Sequence, residues 1–143
     1  MDLYSRLIML APKKQKYRKY FRGKNRGLAN RGASVDFGDY GLKAMVGGLV
    51  TAAQIEAARK AISHHTKREG KVWIRVFPDK SITSKAAGVG MGAGKGDIKG
   101  YVAVVKPGQI LFELAGVILE TAKDAFDRAS DKLSIKTKMV TKI

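Results

Sequence analysis

The sequence predicts a single α+β domain preceded by a basic arm, and three observations predict it. Two stretches, 51–69 and 117–133, keep helical apolar spacing. Several short segments alternate in strand fashion beside proline and glycine turn signals. Residues 11–31 hold nine of the chain's 28 lysines and arginines and no acid. The chain has 143 residues, 45% of them hydrophobic, which suffices for one modest core. The expected division is an arm over 1–31 and a body over 32–143 with a glycine-rich loop over 84–100.

Charge sets the partner class. The 28 basic residues against 12 acidic ones leave a formal net charge of +16. Such self-repulsion is relieved by a polyanion and argues against a freely diffusing enzyme. There is no cysteine, which removes disulfides, thiolate catalysis and cysteine-bound zinc. No apolar run approaches a membrane span, so no membrane partner is expected. The start, MDLYSRLIMLAPKK, puts apolar residues ahead of the basic cluster, the reverse of a secretory signal. The expectation is a soluble intracellular protein, by default in the cytoplasm of a bacterium. A chain encoded inside an organelle would equally need no leader.

The arm interleaves Lys13, Lys14, Lys16, Arg18, Lys19, Arg22, Lys24, Arg26 and Arg31 with Tyr17, Tyr20 and Phe21. It has no periodicity that would bury a helix or strand face. It reads as an extended segment that cannot fold on its own charge. Rings and guanidinium planes stack on bases while ammonium groups meet phosphates, so the composition suits nucleic acid better than a solvated tail.

In SVDFGDYGLKAMV (34–46), Gly38-Asp39-Tyr40-Gly41 is a turn signal, predicting a hairpin or a corner. The helix over 51–69 opens on Thr51 and Gln54, a capping box, and Gly70 is its expected stop. Ile55, Ala58 and Ile62 form its apolar stripe, with Lys60, His64, Lys67 and Arg68 opposite. His64 and His65 point about 100° apart and have no third ligand nearby, so no metal is expected.

KVWIRVF (71–77) alternates as a strand, with Val72, Ile74 and Val76 on one face and Trp73, Arg75 and Phe77 on the other, and Pro78-Asp79 ends it. YVAVV (101–105) and QILFEL (109–114) flank Lys106-Pro107-Gly108, which predicts a hairpin with a type II turn. The helix over 117–133 places Ile118, Ala122, Ala125, Phe126, Ala129 and Leu133 on one stripe. Its acids Glu120, Asp124, Asp127 and Asp131 offer surface pairs to Lys123 and Arg128. The tail SIKTKMVTKI alternates from Ile135 as an edge strand.

GVGMGAGKGD (88–97) has glycine at every second place but matches no phosphate motif. A Walker loop would need glycine at Val89 and a hydroxyl at Gly96. The dinucleotide fingerprint would need glycine at Ala93 or Lys95. Two readings stand: a mobile surface loop, or bare backbone meeting a large anionic partner with Lys95 as its charge. No catalytic constellation is evident, since both histidines sit together and the acids are ordinary for an exposed helix face.

Several segments in order carry a resemblance. They are Met9-Leu10-Ala11-Pro12-Lys13-Lys14 with Lys16-Tyr17-Arg18-Lys19, Gln54-Ile55-Glu56-Ala57-Ala58-Arg59, the run from Lys67 through Trp73-Ile74-Arg75-Val76-Phe77-Pro78-Asp79-Lys80, Gly94-Lys95-Gly96, and Ile135-Lys136-Thr137-Lys138. The chain over about 9–142 resembles the bacterial-type large-subunit ribosomal protein sixteen family, relatives of the archaeal and eukaryotic L-ten-e proteins. The resemblance implies a two-layer α/β sandwich, with two helices packed on a mixed, mainly antiparallel sheet. It implies binding to large-subunit rRNA, contact with tRNA in the aminoacyl site (the peptidyl site being a further candidate), late subunit assembly, and neighbouring large-subunit proteins as partners. No cofactor and no small-molecule substrate is implied.

The candidate rRNA-binding residues are the nine arm cations and Tyr17, with Lys60, Lys67, Arg68 and Arg75 as a second surface. Gly90, Met91, Gly92, Gly94, Lys95 and Gly96 correspond to the family's loop near the peptidyl-transferase region. The chain departs from the family there. Gly90 stands where arginine is usual, Ala93 where lysine is, Ser81 where proline is and Gly100 where an aromatic is. A nucleotide-dependent enzyme using the glycine loop and a DNA-compacting protein are the competing readings.

Overall fold

The computed structural model describes residues 10–143, so the first nine residues of the expected arm, Met9 of the resemblance and the reading of the chain start lie outside the described residues. Seven strands and two helices follow the chain as β1 (Tyr40–Ala44), β2 (Gly48–Thr51), α1 (Ala52–His65), β3 (Lys71–Ile74), β4 (Lys80–Ser84), β5 (Asp97–Val105), β6 (Ile110–Ala115), α2 (Leu119–Ser130) and β7 (Thr137–Thr141). They make two sheets, one ordered β3-β6-β1-β7 and one ordered β2-β5-β4. The α+β sandwich is as expected, and the mainly antiparallel pairing expected of it is antiparallel throughout, in two sheets rather than one.

The division into two sheets overturns the hairpin expected at Lys106-Pro107-Gly108. The turn itself forms, with Gln109 N–H donating to the Lys106 carbonyl at 3.2 Å and Gly108 at φ 94°. The strands it joins nevertheless part. β5 has both edges taken by β2 and β4, and β6 has both edges taken by β1 and β3. Neither keeps a free edge for the other, so the chain changes sheets at this turn. Gly108 N–H instead donates to the Ala44 carbonyl at 2.7 Å.

β6 is the most deeply buried strand, with Ile110 through Leu114 all inside. Leu42, Val72, Ile74, Phe112 and Leu114 join the main core, together with Ile55, Ala58 and Ile62 of α1 and Ala122, Ala125, Phe126 and Ala129 of α2. Alanine at four of these helix positions leaves no bulk to hold the helices apart. α1 packs on α2 and also reaches β2, β3 and β5, so it closes over strands of both sheets. Cross-strand partners share a face. Gly41 and Trp73, both paired with Glu113, therefore lie on the face opposite Leu42 and Phe112.

The Thr51 capping box is present: Gln54 N–H donates to Thr51 Oγ1 at 3.2 Å, and Thr51 N–H to Gln54 Oε1 at 3.0 Å. α1 ends at His65, four residues short of the expected 69, with Thr66 as its C-cap and Thr66 Oγ1 donating back to the Ile62 carbonyl at 3.0 Å. Lys67, Arg68 and Gly70 then take positive φ of 53°, 63° and 73°. α2 begins at Leu119, so Ile118 precedes the helix and is exposed rather than on its buried stripe. The segment at 34–46 is a corner, since β1 is its sole strand. β7 is an edge strand beside β1.

Two strands lay outside the sequence reading. β2 and β4 read GLVT and KSITS, too short or too polar for an alternation signal. β5 begins at Asp97, so the glycine loop spans 85–96 and links the antiparallel pair β4 and β5.

Candidate nucleic-acid interface

The arm from residue 10 onward has no regular secondary structure, yet it lies against the body. Ser81 Oγ, buried, donates to the Arg18 carbonyl at 2.6 Å, and Lys80 Nζ donates to the Arg22 carbonyl at 2.6 Å. Gln15 Nε2 donates to the Asp79 carbonyl at 2.8 Å, Asn25 Nδ2 to the Val105 carbonyl at 2.7 Å, and Ala29 N–H to the Pro107 carbonyl at 3.0 Å. These bonds use arm carbonyls, neutral amides and one main-chain N–H. They leave the arm's charged ends over.

Lys13, Lys14, Lys16, Arg18, Lys19, Arg22, Lys24, Arg26 and Arg31 are all exposed. Among the described residues no ion pair joins any of them to a carboxylate. The result is a row of uncompensated cations on a segment already positioned along the β4–β5 side. A polyanion meeting it gives up counterions, which makes association favourable and salt-sensitive.

The glycine loop is latched to this arm. Lys95 Nζ donates to the Tyr20 carbonyl, and Lys19 Nζ donates to the Lys95 carbonyl at 3.2 Å. Within the loop, Lys85 Nζ donates to the Gly92 carbonyl at 2.5 Å. Gly88, Gly92, Ala93 and Gly94 take positive φ. A Cβ added at Gly90 would meet nothing within 4 Å, and Gly90 is not at positive φ, so nothing inside the fold demands glycine there. Gly96 differs, because a Cβ would fall 2.6 Å from the Ser84 carbonyl oxygen where the two strands close. Met91 at the tip is fully exposed.

The four residues expected as a second cationic surface divide. Lys60 is exposed on α1, and Lys67 and Arg68 are exposed in the left-handed turn after it. The structure adds two cations from α2 and its end. A groove of about 550 Å³ is lined by His64, His65, Lys67, Arg128, Asp131 and Lys132, with Ala61 at its floor. Arg128 and Lys132 escaped the sequence reading, since a cation on a mixed-charge helix carries no signal of what it faces. Arg59 is held apart by Glu56, to which Nε donates at 3.0 Å and Nη2 at 2.5 Å. That hydrogen bond, and secondarily the charges of Arg59 and Lys60, hold the Glu56 carboxyl below its ordinary value.

Arg75 is not grouped with the other three. Its side chain is 15% exposed, and Nη1 donates to Glu113 Oε2 at 2.8 Å and to the Ser34 carbonyl at 2.9 Å. Nη2 lies 3.3 Å from Asp36 Oδ2, and the guanidinium covers the Phe37 ring at 5.2 Å. Glu113 is fully buried, and its Oε1 accepts the N–H groups of Asp36, Phe37 and Gly38 at 2.8, 3.0 and 3.2 Å. One ion pair thus fastens the segment leading out of the arm onto the outer face of β6. Gly38 fits beneath it because any Cβ would sit 2.8 Å from the Leu114 oxygen. A lone carboxylate inside the apolar run QILFEL was the available signal for this knot, since a buried charge requires a partner.

The surface therefore offers charge and exposed rings on a rigid frame. Among the described residues no group of three or more His, Asp or Glu side chains is placed to hold a metal ion. Nor is any helix of the described residues long and apolar enough to cross a membrane. Fold and surface together define a small basic binding protein, one that contributes a shaped cationic face to a larger assembly. The chain belongs to the ribosomal protein L16p/L10e family, whose pattern matches residues 12–140. It is similar to the large ribosomal subunit protein uL16 of Kosmotoga olearia, 62% identical over 132 residues, covering 92% of this chain and 94% of that protein. As a member of this family the chain is a structural constituent of the large ribosomal subunit, located in the ribosome and not an enzyme. The family reading sets aside the nucleotide-dependent enzyme, whose motif the loop had already failed to supply.

Proposed function

We propose that the chain binds large-subunit rRNA through the arm, with residues 1–31 acting as the RNA-facing unit and 32–143 as the body that holds it. The observation that carries this reading is the docking chemistry. The arm is tied down mainly through carbonyls and amides, and all nine cations from Lys13 to Arg31 are exposed with no carboxylate partner among the described residues, Lys19 alone turning to the Lys95 carbonyl. Lys60, Lys67 and Arg68 extend the contact on the helical side, joined by Arg128 and Lys132 across the groove. Arg75 serves this surface indirectly, by anchoring residues 34–38.

The loop carrying Gly90, Met91, Gly92, Gly94, Lys95 and Gly96 is the element that reaches tRNA in the aminoacyl site near the peptidyl-transferase centre. Its open backbone supports that role, because a Cβ at Gly88, Gly90, Gly92 or Gly94 would meet nothing within 4 Å. With Gly90 in place of the family's arginine, Lys95 is the proposed cation of the tip. Assembly of the subunit at a late stage, beside neighbouring large-subunit proteins, follows from the same surface.

If about six arm cations engage phosphates, affinity for isolated rRNA should fall with a log–log salt slope of about −4 to −5. Neutralising five arm residues, Arg18, Arg22 and Arg26 among them, should prevent incorporation into large subunits. Normal co-sedimentation of that variant would refute the reading.

A further inference from the structure

The arm and the loop enclose a cavity that phosphate binding leaves unexplained. It measures about 350 Å³ and is lined by Tyr17, Lys19, Tyr20, Phe21 and Lys95. Its walls are mainly ring carbon, unlike the groove between the helix ends. The three rings are 65%, 41% and 94% exposed in the order Tyr17, Tyr20, Phe21. Among the described residues the sole stacked aromatic pair is Phe37 with Trp73, so none of these three rings stacks on another. Exposed rings grouped in one concavity are costly to leave in water and mark a binding site.

Two ammonium groups stand at the rim. Lys95 Nζ donates to the Tyr20 carbonyl and Lys19 Nζ to the Lys95 carbonyl. Each ammonium has three donors, so both keep donors free after those bonds. Lys16 adds a third cation, 5.6 Å from the centre of the Tyr17 ring. The complement of this arrangement is a flat π-face joined through a sugar to a negatively charged phosphate: a nucleotide. Paired bases hide both faces in the stack, so only an unpaired nucleotide can enter.

We infer that Tyr17, Tyr20 and Phe21, closed by Lys95, form a receptor for a single unpaired nucleobase of RNA, whose adjoining phosphate meets Lys19 and Lys95. The inference rests on the RNA-binding reading above and deepens it. Charge alone positions a backbone anywhere along the arm, whereas a base seated here sets the register.

The test uses the full chain and two RNA hairpins of equal length, one with a single bulged 2-aminopurine and one fully paired. The bulged hairpin should bind about tenfold more tightly, the range expected for one base stacked on an aromatic, and its fluorescence should be quenched. Tyr20→Leu with Phe21→Leu should abolish the preference while leaving affinity for the paired hairpin and its salt slope unchanged. Tyr17→Phe with Tyr20→Phe, which keeps the rings, should retain it. Equal binding of both hairpins by the unaltered chain, or a preference that survives loss of the rings, overturns the inference while a steep salt slope leaves the phosphate reading standing. A flat slope for the paired hairpin overturns that reading and this one with it. Displacement of the bulged hairpin by an acidic phenylalanine-containing peptide as effectively as by a bulged competitor would assign the pocket to a protein partner and also overturn it.

Discussion

Replacing Glu113 with leucine should destabilise the chain strongly. The side chain is fully buried and its two oxygens accept four hydrogen bonds, three from the N–H groups of residues 36–38 and one from Arg75. Removing one member of a buried pair costs about 3–5 kcal/mol, because the other charge stays behind without its partner. Residues 36–38 add to this, since each stripped N–H costs roughly 1–3 kcal/mol unless it swings out to water. That movement would cap the added loss but would free the junction between arm and body. Taking about 3–5 kcal/mol for the whole, the melting temperature should fall by about 10–15 °C for a domain of this size.

The assay is thermal unfolding followed by circular dichroism and by the fluorescence of Trp73, the chain's one tryptophan, which is stacked on Phe37 at 6.2 Å. Adding Arg75→Met to Glu113→Leu should recover part of the loss, because the stranded charge is then gone. A Glu113→Leu protein that melts within about 2 °C of the original, with unchanged Trp73 emission, would refute the knot as an anchor.

Other changes should separate local demands of the fold. Gly90→Arg should leave the melting temperature unchanged, since its Cβ meets open space, whereas Gly96→Ala should lower it because the Cβ falls 2.6 Å from the Ser84 oxygen; equal melts for both would contradict the loop geometry. Thr51→Ala should cost about 1 kcal/mol in denaturant unfolding through loss of the helix cap, and no shift would count against it. Glu56→Gln should cost about 0.3 kcal/mol at neutral pH, a surface-pair value already reduced by screening. The hydrogen bond from Arg59 holds the Glu56 carboxyl below the ordinary glutamate range in the fold, so its contribution is present above that range and is lost as pH falls through the lower folded value. Unfolding curves of the two proteins should therefore converge in acid, and a gap that widens there would reverse the assigned sign.

Much of the secondary structure could be read locally. The Thr51–Gln54 box and the Ile55–Ala58–Ile62 stripe are properties of neighbours on one helix, and they appear as expected. Lys106-Pro107-Gly108 was legible as a turn for the same reason. Its role was not, since identical turn chemistry serves a hairpin or a change of sheet. The choice lay with strands β2 and β4, which occupy the two edges of β5. Arg75 was misplaced for a comparable reason: alternation put it on the outer face of its strand, but only the fold brings Glu113, Ser34 and Asp36 to that face.

Composition and order of residues alone pointed to the class of partner: nine cations without an acid over 11–31 favour an anionic one wherever that segment lies. They settled as well which stretches coil and which extend, because those preferences act between residues a few places apart. Tertiary contacts decided the rest. Which cations stay free, which one is bound inside, and that Lys95 meets Tyr20 across 75 positions depend on long-range pairings. Such pairings are chosen by competition among all strand edges and all buried charges at once, and no short window of sequence contains that competition.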